Sequence, residues 1–146
     1  MRPPRIPNWL HGSKDTIYFI TLCVESRDKV LASEVCWEAI IRTFERLDQW
    51  DFPCVMVIPD HLHFFASPMK DRDASVSMLV RLFKRWLRED LQHEWKWQSG
   101  AFDRLLRDPK EMTEKWDYVR TNPVRSGLVQ VQADWPYQFG FTERVL

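Results

Sequence analysis

The chain has 146 residues, which is enough for one domain with a hydrophobic core and too few for two. Its 21 basic and 21 acidic residues give no net charge, which counts against a non-specific nucleic-acid binder. Apolar residues make up 45%, so the composition is not that of a disordered protein. No apolar run reaches the roughly 20 residues of a membrane span, and no signal-peptide core is present. We therefore expect a cytoplasmic protein that has no membrane partner.

The chain begins with a segment that we expect to be a basic, extended arm. Residues 1–14 contain Arg2 and Arg5 but no acidic residue, and three prolines exclude a regular helix there. The remaining elements follow from apolar periodicity, cap residues and breakers. In chain order, strands are predicted at 16–24, 53–58, 61–66 and 101–107, and helices at 34–49, 75–92 and 109–121, with Pro123 ending the last helix and an irregular tail over 124–146. The expected helix N-caps are Ser33, Ser75 and Asp108, and Trp135 in the tail is expected to pack on the body.

This order, β-α-β-β-α-β followed by a helix, is typical of an α+β fold. It predicts a ferredoxin-like, split β-α-β antiparallel sheet with an additional C-terminal helix, as a single domain over 1–146. Such a sheet carries its own helices on one face only. The other face must be covered by the last helix, by a partner subunit or by a ligand.

The helix over 75–92 has a basic side opposite its apolar side. The basic residues follow the i, i+3, i+4, i+7 spacing of one helix face. Two interpretations remain open, a surface for DNA phosphates or an ordinary solvated face. The residues concerned are Arg81, Lys84, Arg85 and Arg88.

Two histidines lie one residue apart on the strand predicted at 61–66. Because side chains alternate between the faces of a strand, His61 and His63 point the same way and could share one metal ion. They could also be two ordinary, partly exposed histidines. Two ligands make an incomplete metal site, and by residue type alone His11 and His93 are candidates for a third.

A tyrosine on the last predicted helix is the second candidate for chemistry. Tyr118 has Asn122 at i+4, so a phenol and an amide lie on the same helix face. Spacing alone favours the interpretation that the tyrosine is a packing residue of an amphipathic helix. The other tyrosines, Tyr18 and Tyr137, lie in an apolar strand and in the tail, where packing roles are expected.

Three segments resemble one known family. The run 57–64, Val-Ile-Pro-Asp-His-Leu-His-Phe, resembles the metal-binding segment of the HUH single-tyrosine transposases. The runs 97–107, Trp-Gln-Ser-Gly-Ala-Phe-Asp-Arg-Leu-Leu-Arg, and 118–129, Tyr-Val-Arg-Thr-Asn-Pro-Val-Arg-Ser-Gly-Leu-Val, resemble segments of one branch, the REP-associated tyrosine transposases. The segments follow the family's order, and the resemblance covers residues 2 to about 136.

The resemblance implies a function and residue roles. His61, His63 and Asn122 would be metal ligands for Mg²⁺ or Mn²⁺, and Tyr118 would be the nucleophile on a catalytic helix. The expected activity is that of a transposase, a single-stranded-DNA endonuclease that also rejoins strands and acts near hairpins through a 5′-phosphotyrosine intermediate. One departure from many relatives is Asp60, which stands where they have Asn.

The resemblance also implies partners. The expected partner is single-stranded or hairpin DNA with palindromic repeats, and a homodimer is expected in many relatives. The alternatives are a domesticated, non-catalytic DNA-hairpin-binding protein and a metal-dependent hydrolase without a tyrosyl intermediate. The expected DNA-binding residues are Arg2, Arg5, Arg81, Lys84, Arg85, Arg88, Arg104, Arg107, Arg120 and Arg125.

Overall fold

The computed structural model of the protein describes residues 16–69 and 74–142. The arm predicted at 1–14, with Arg2, Arg5 and His11, lies outside the described residues. Two short 3₁₀ turns, at Glu25–Arg27 and Gln132–Asp134, connect regular elements. The regular elements are β1 Ile17–Cys23, α1 Glu34–Arg46, β2 Trp50–Ile58, β3 His61–Pro68, α2 Val76–Leu91, β4 Phe102–Leu106, α3 Pro109–Arg120, α4 Asn122–Arg125 and β5 Gln138–Phe139.

The strands form one antiparallel sheet in the order β4-β1-β3-β2-β5. The first four strands have the order expected of the split β-α-β plan, so the predicted α+β fold is confirmed. The turn at Pro59 and Asp60 joins β2 directly to β3 and sets their register, in which Met56 faces His63 and Ile58 faces His61.

Helices α1 and α2 cover one face of the sheet. Each helix begins at the predicted cap: the Ser33 hydroxyl accepts from the Cys36 amide at 3.1 Å, and the Ser75 hydroxyl accepts from the Met78 amide at 3.2 Å. Their apolar sides pack on alternate strand residues, including Phe64, which is fully buried. Removing these rings from water is the main stabilising contribution on this face.

Helix α3 covers part of the opposite face. Its cap is also the predicted one, since the Asp108 carboxylate accepts from the Glu111 amide at 2.8 Å. Met112, Trp116 and Val119 are buried against the sheet in a second apolar cluster. Helix α3 therefore covers this face, as the fold requires, although only over part of its area. It lies on the face of β3 that presents the two histidines.

The C-terminal segment differs from the prediction in two respects. Pro123 does not simply end the preceding helix; α3 ends at Arg120, and Pro123 lies in the first turn of α4, where a missing N–H costs nothing. The tail over 124–146 is not wholly irregular, because Gln138–Phe139 hydrogen-bonds to the free edge of β2. The backbone N–H and C=O groups at the edge of β2 require hydrogen-bond partners, and the local sequence does not indicate which segment supplies them. Trp135 packs on the body, as expected, and donates to the Val57 carbonyl at 2.9 Å.

None of the helices in the described part of the chain combines the length and the apolar character that crossing a membrane requires.

Candidate metal and nucleophile site

The two histidines lie next to each other on the face of the sheet that α3 covers. His61 and His63 occupy alternate positions of β3, and their ring centroids are 4.8 Å apart with the planes at 79°. His63 is buried, whereas His61 is partly exposed. The strand alternation predicted from the sequence therefore brings both imidazoles to one point, as expected.

Each imidazole is held through its Nδ1 atom. Nδ1 of His63 is 2.7 Å from the Thr21 hydroxyl on β1, and Nδ1 of His61 is 2.7 Å from the Asp60 carboxylate. Arg27 donates to the same carboxylate at 2.9 Å and so fixes its position. With both Nδ1 atoms engaged, the Nε2 atoms are left to face the site. Partners of this kind orient metal-binding histidines in proteins.

An amide from the C-terminal segment meets the two Nε2 atoms. Nδ2 of Asn122 lies 3.4 Å from Nε2 of His61 and 3.3 Å from Nε2 of His63. Asn122 is 6% exposed, and its Oδ1 accepts from the Ser126 hydroxyl at 2.9 Å. Rotating the amide by half a turn exchanges its oxygen and nitrogen, so the oxygen can also face the histidines while nitrogen donates to Ser126.

The distances among these three groups fit a shared divalent cation. Two ligand atoms that each lie about 2.1 Å from one ion are separated by about 3.0 to 3.4 Å in octahedral or tetrahedral geometry. The amide position satisfies this separation with both imidazoles. Within residues 16–69 and 74–142, no group of three or more histidine, cysteine, aspartate or glutamate side chains could hold a metal ion. The Asn122 amide is a third group whose distances to both imidazoles fit such an ion.

The electrostatic environment keeps both imidazoles neutral, which metal coordination requires. Burial, together with the charges of His61, Arg125, Lys115 and Arg27, lowers the pKa of His63 to about 3. Burial also lowers the pKa of His61, against the opposing effect of Asp60. Burial opposes ionisation of the Asp60 carboxyl, but hydrogen bonds from Arg27 and His61 outweigh it and hold its pKa below the ordinary value.

Tyr118 lies on α3 with 53% of its surface exposed, so it is not a core packing residue. The Arg125 guanidinium lies 4.1 Å from its ring centroid, and the Lys115 ammonium lies 6.0 Å from it. The same ammonium is 5.4 Å from the Phe19 ring, which stacks on His63 at 5.3 Å. These contacts place the phenol ring on the histidine side of the sheet, beside two cations.

Arg125 is fixed against the tyrosine by its own hydrogen bonds. Its Nη2 donates to the Tyr118 carbonyl, and its Nε donates to the Thr121 hydroxyl at 3.1 Å. The guanidinium is therefore positioned on the helix turn that joins Tyr118 to Asn122. Arg125 is thus an expected DNA-binding residue whose contacts reach this turn.

The other expected DNA-binding residues fall into two groups. On the α3 side, Arg104 pairs with Glu111, and Arg120 pairs with Asp117 at 3.3 Å. The α2 residues lie on the opposite side of the sheet, where Lys84 donates to two carbonyls of the loop before β4. The structure therefore does not bring the α2 set onto the histidine face. This set consists of Arg81, Lys84, Arg85 and Arg88. Arg107 belongs to neither group and is exposed directly after β4.

His93 is not part of the site. Its ring stacks on Trp95 with centroids 3.7 Å apart, and its Nδ1 bonds the Trp95 carbonyl at 2.8 Å.

The groups that sequence reasoning missed are the partners of the two imidazoles and of the amide. Their polar types are common on strands and turns, and the signal available was position: Thr21 on the strand beside β3, and Asp60 directly before His61.

Comparison with known proteins finds transposases among the proteins similar to this chain. No protein-family model matches the chain. A Haemophilus influenzae protein provisionally named as a REP-associated tyrosine transposase is 25% identical over 141 residues, covering 86% of this chain and 80% of the relative. The Escherichia coli K12 REP-associated tyrosine transposase is 25% identical over 127 residues, covering 85% of this chain and 76% of the relative.

A solved structure gives the same result for the fold. It is described as a REP-associated tyrosine transposase bound to a REP hairpin, and it superposes on this chain with a TM-score of 0.72 at 25% identity. The match covers 94% of this chain and 82% of the other. The resemblance of the sequence to the REP-associated tyrosine transposases is thus confirmed by curated relatives of that name and by a shared fold.

Proposed function

We propose that this protein cleaves and rejoins single-stranded DNA beside a hairpin, with Tyr118 as the covalent nucleophile. His61, His63 and Asn122 would hold the divalent cation, Mg²⁺ or Mn²⁺. The observation that carries the proposal is the meeting of these three side chains. Two come from a strand and one from a helix 59 residues later in the chain, and they meet at distances that suit one ion. The relatives named as REP-associated tyrosine transposases support the choice of reaction.

The ligand set indicates which cation chemistry is available. Two imidazoles and an amide are softer than the all-oxygen sites that Mg²⁺ prefers, so Mn²⁺ is expected to bind at least as well. Three protein ligands leave positions for oxygen atoms of a phosphate. When bound, the cation supplies positive charge that offsets the charge developing on the scissile phosphate.

The tyrosine step conserves the energy of the phosphodiester bond. The phenol loses its proton, its oxygen bonds to phosphorus, and the bond from phosphorus to the 3′ oxygen breaks. The leaving 3′ oxygen takes up a proton, and the other strand end stays attached as a 5′-phosphotyrosine. Attack by a 3′ hydroxyl reverses these changes, so strands can be rejoined without ATP.

Arg125 and Lys115 support this step electrostatically. Both cations face the Tyr118 ring, and both contribute positive potential at His63. A positive environment attracts a phosphate. Arg104 and Arg120 are on the same side of the sheet and are proposed to contact the DNA backbone there, while the α2 set would contact DNA farther from the cut. The arm residues Arg2 and Arg5 remain proposed groove contacts.

The test is the covalent adduct. An oligonucleotide copied from a palindromic repeat beside the gene, labelled on the 3′ side of the cut, is incubated with the protein and Mg²⁺ or Mn²⁺. The labelled strand should migrate with the protein on a denaturing gel. Tyr118→Phe should abolish the adduct. Tyr137→Phe is the matched control, since that ring packs against Trp135 at 5.3 Å, and it should leave the adduct intact.

Other outcomes would overturn separate parts of the proposal. An adduct in Tyr118→Phe would contradict the nucleophile, and cleavage unchanged by His61→Ala would contradict the metal ligands. Cleavage without any adduct would indicate a metal-dependent hydrolase. DNA binding without cleavage would indicate a non-catalytic hairpin-binding protein.

A further inference from the structure

An exposed aromatic ring lies on the histidine face, and none of the residues that the structure describes buries it. Phe102, in β4, is 84% exposed, the highest exposure among the large apolar side chains of the described residues. It is part of a regular strand that pairs with β1, so its position is fixed by backbone hydrogen bonds. Leaving a phenyl ring in water forgoes the stabilisation that burial of such a side chain provides. Folding therefore does not explain the residue.

The register of the sheet places Phe102 in line with the metal site. Phe102 is directly opposite Thr21, and Thr21 is directly opposite His63. Directly opposite residues of antiparallel strands point to the same face. The hydrogen bond of 2.7 Å between the Thr21 hydroxyl and Nδ1 of His63 shows this for the second pair. Phe102 thus lies two strand spacings, about 10 Å, from His63 on the same surface.

Helix α3 does not cover Phe102. Arg104 lies two residues along β4, on the same face. Its side chain contacts the helix through Glu111. The Lys115 ammonium lies over Phe19, which is opposite Arg104 in the register. Phe102 is consequently exposed on a face that also carries the Lys115 ammonium, which suits a polyanion that also has flat apolar groups.

We propose that Phe102 is the stacking platform for an unpaired base of the DNA strand next to the scissile phosphate. The inference rests on the proposed function, which places that phosphate at His61 and His63. Stacking on an aromatic side chain is tolerant of base identity, because every base has a π-face. A strand whose phosphate lies at the histidines has its neighbouring nucleotides within reach of the ring.

A second copy of this chain is the competing occupant, since β4 is an edge of the sheet. Edge strands that resist pairing carry charged side chains, and β4 carries Asp103 and Arg104 next to Phe102. The charges around the ring also favour a nucleic acid over a copy of the same surface. The proposal therefore commits to a nucleobase.

The experiment tests whether the Phe102 ring contacts one particular base of the strand. Phe102→Ala and Phe102→Trp are compared with wild type for binding and adduct formation on oligonucleotides in which one nucleotide near the cut is abasic. On the intact strand, Phe102→Ala should weaken binding by about tenfold, and Phe102→Trp should restore it. At one position of the strand, removal of the base should weaken DNA binding by the wild-type protein as much as Phe102→Ala does. Removal of the same base should not weaken binding by Phe102→Ala any further.

Phe139→Ala is the matched control. Phe139 is also exposed, at 51%, but it lies in β5 at the other edge, opposite Val55, whose side chain packs on the α1 and α2 face. Its removal should not change DNA binding.

The outcomes separate the stacking proposal from the proposed function. Unchanged DNA binding in Phe102→Ala, or additive losses with every abasic position, would overturn the stacking role and leave cleavage intact. Loss of self-association in Phe102→Ala by sedimentation, with DNA binding unchanged, would assign the ring to a second copy. DNA binding that depends on Phe102 without any adduct would support stacking and contradict cleavage. Wild-type protein that binds no strand would overturn both.

Discussion

On one face of the sheet, β3 presents Leu62, Phe64 and Ala66, all fully buried beneath α1 and α2. On the other face, the same strand presents His61, His63 and Phe65 beneath the region of α3. The first set needs only apolar contact, which any side chain of suitable volume provides. In the second set, Phe65 packs in an apolar cluster, but the two histidines need a particular hydrogen-bond partner for each ring nitrogen. The two faces therefore depend on different physical contributions, and they should respond differently to mutation.

Truncating the buried aromatic cluster should give the largest loss of stability. Phe64 has ring contacts with Phe44 at 5.0 Å and Phe83 at 6.1 Å, and no part of it is exposed. Phe64→Ala should lower the free energy of unfolding by about 3–5 kcal/mol, measured by urea denaturation. The control is Phe102→Ala on the other face, expected within about 0.5 kcal/mol of wild type. Equal losses in the two variants would contradict the contrast between the faces.

Closure of the histidine face depends on a glycine in the tail. The Gly140 carbonyl accepts from Nε1 of Trp116 at 3.1 Å, and its backbone is left-handed with φ of 84°. A Cβ at this position would lie 2.1 Å from the Pro53 carbonyl oxygen. Gly140→Ala should therefore displace the tail from β2. The free energy of unfolding should fall by more than left-handed strain alone would cause, which is about 1–2 kcal/mol.

Gly127→Ala is the matched control for that substitution. Gly127 has a similar φ of 72°, but a Cβ there would meet nothing within 4 Å. It should show only the strain of about 1–2 kcal/mol. Equal thermal and urea stabilities for the two variants would contradict the close approach of Gly140 to β2.

The pH dependence contributed by His63 is expected to be comparable in size to the left-handed strain at Gly127. In the unfolded chain the imidazole binds a proton below about pH 6.5, whereas in the folded protein its pKa is about 3. Between these values the unfolded state holds more protons, so stability falls as pH is lowered, by up to about 1.4 kcal/mol per pH unit. Urea denaturation of the protein with a chelator, at pH 7.5 and pH 5, should show this decrease. His63→Gln should reduce the slope, and an unchanged slope would contradict burial of a neutral imidazole.

Each face was predicted to a different extent. Ser33, Ser75 and Asp108 each cap the helix expected of them, because a cap is set by residues three apart. Strand alternation likewise predicted that His61 and His63 share a face. The docking of β5 was missed, because its two residues are held by an edge of β2 that lies more than 80 residues earlier in the chain.

The sequence alone determined the elements, the α+β order and the side on which the two histidines point, since all three depend on contacts between near neighbours in the chain. Only the tertiary structure decided which groups meet them. Thr21 reaches Nδ1 of His63 because β1 pairs with β3, and Asn122 reaches both Nε2 atoms because α3 crosses that face before α4 begins. These distances are set by the packing of a helix on a sheet, and no local pattern encodes them.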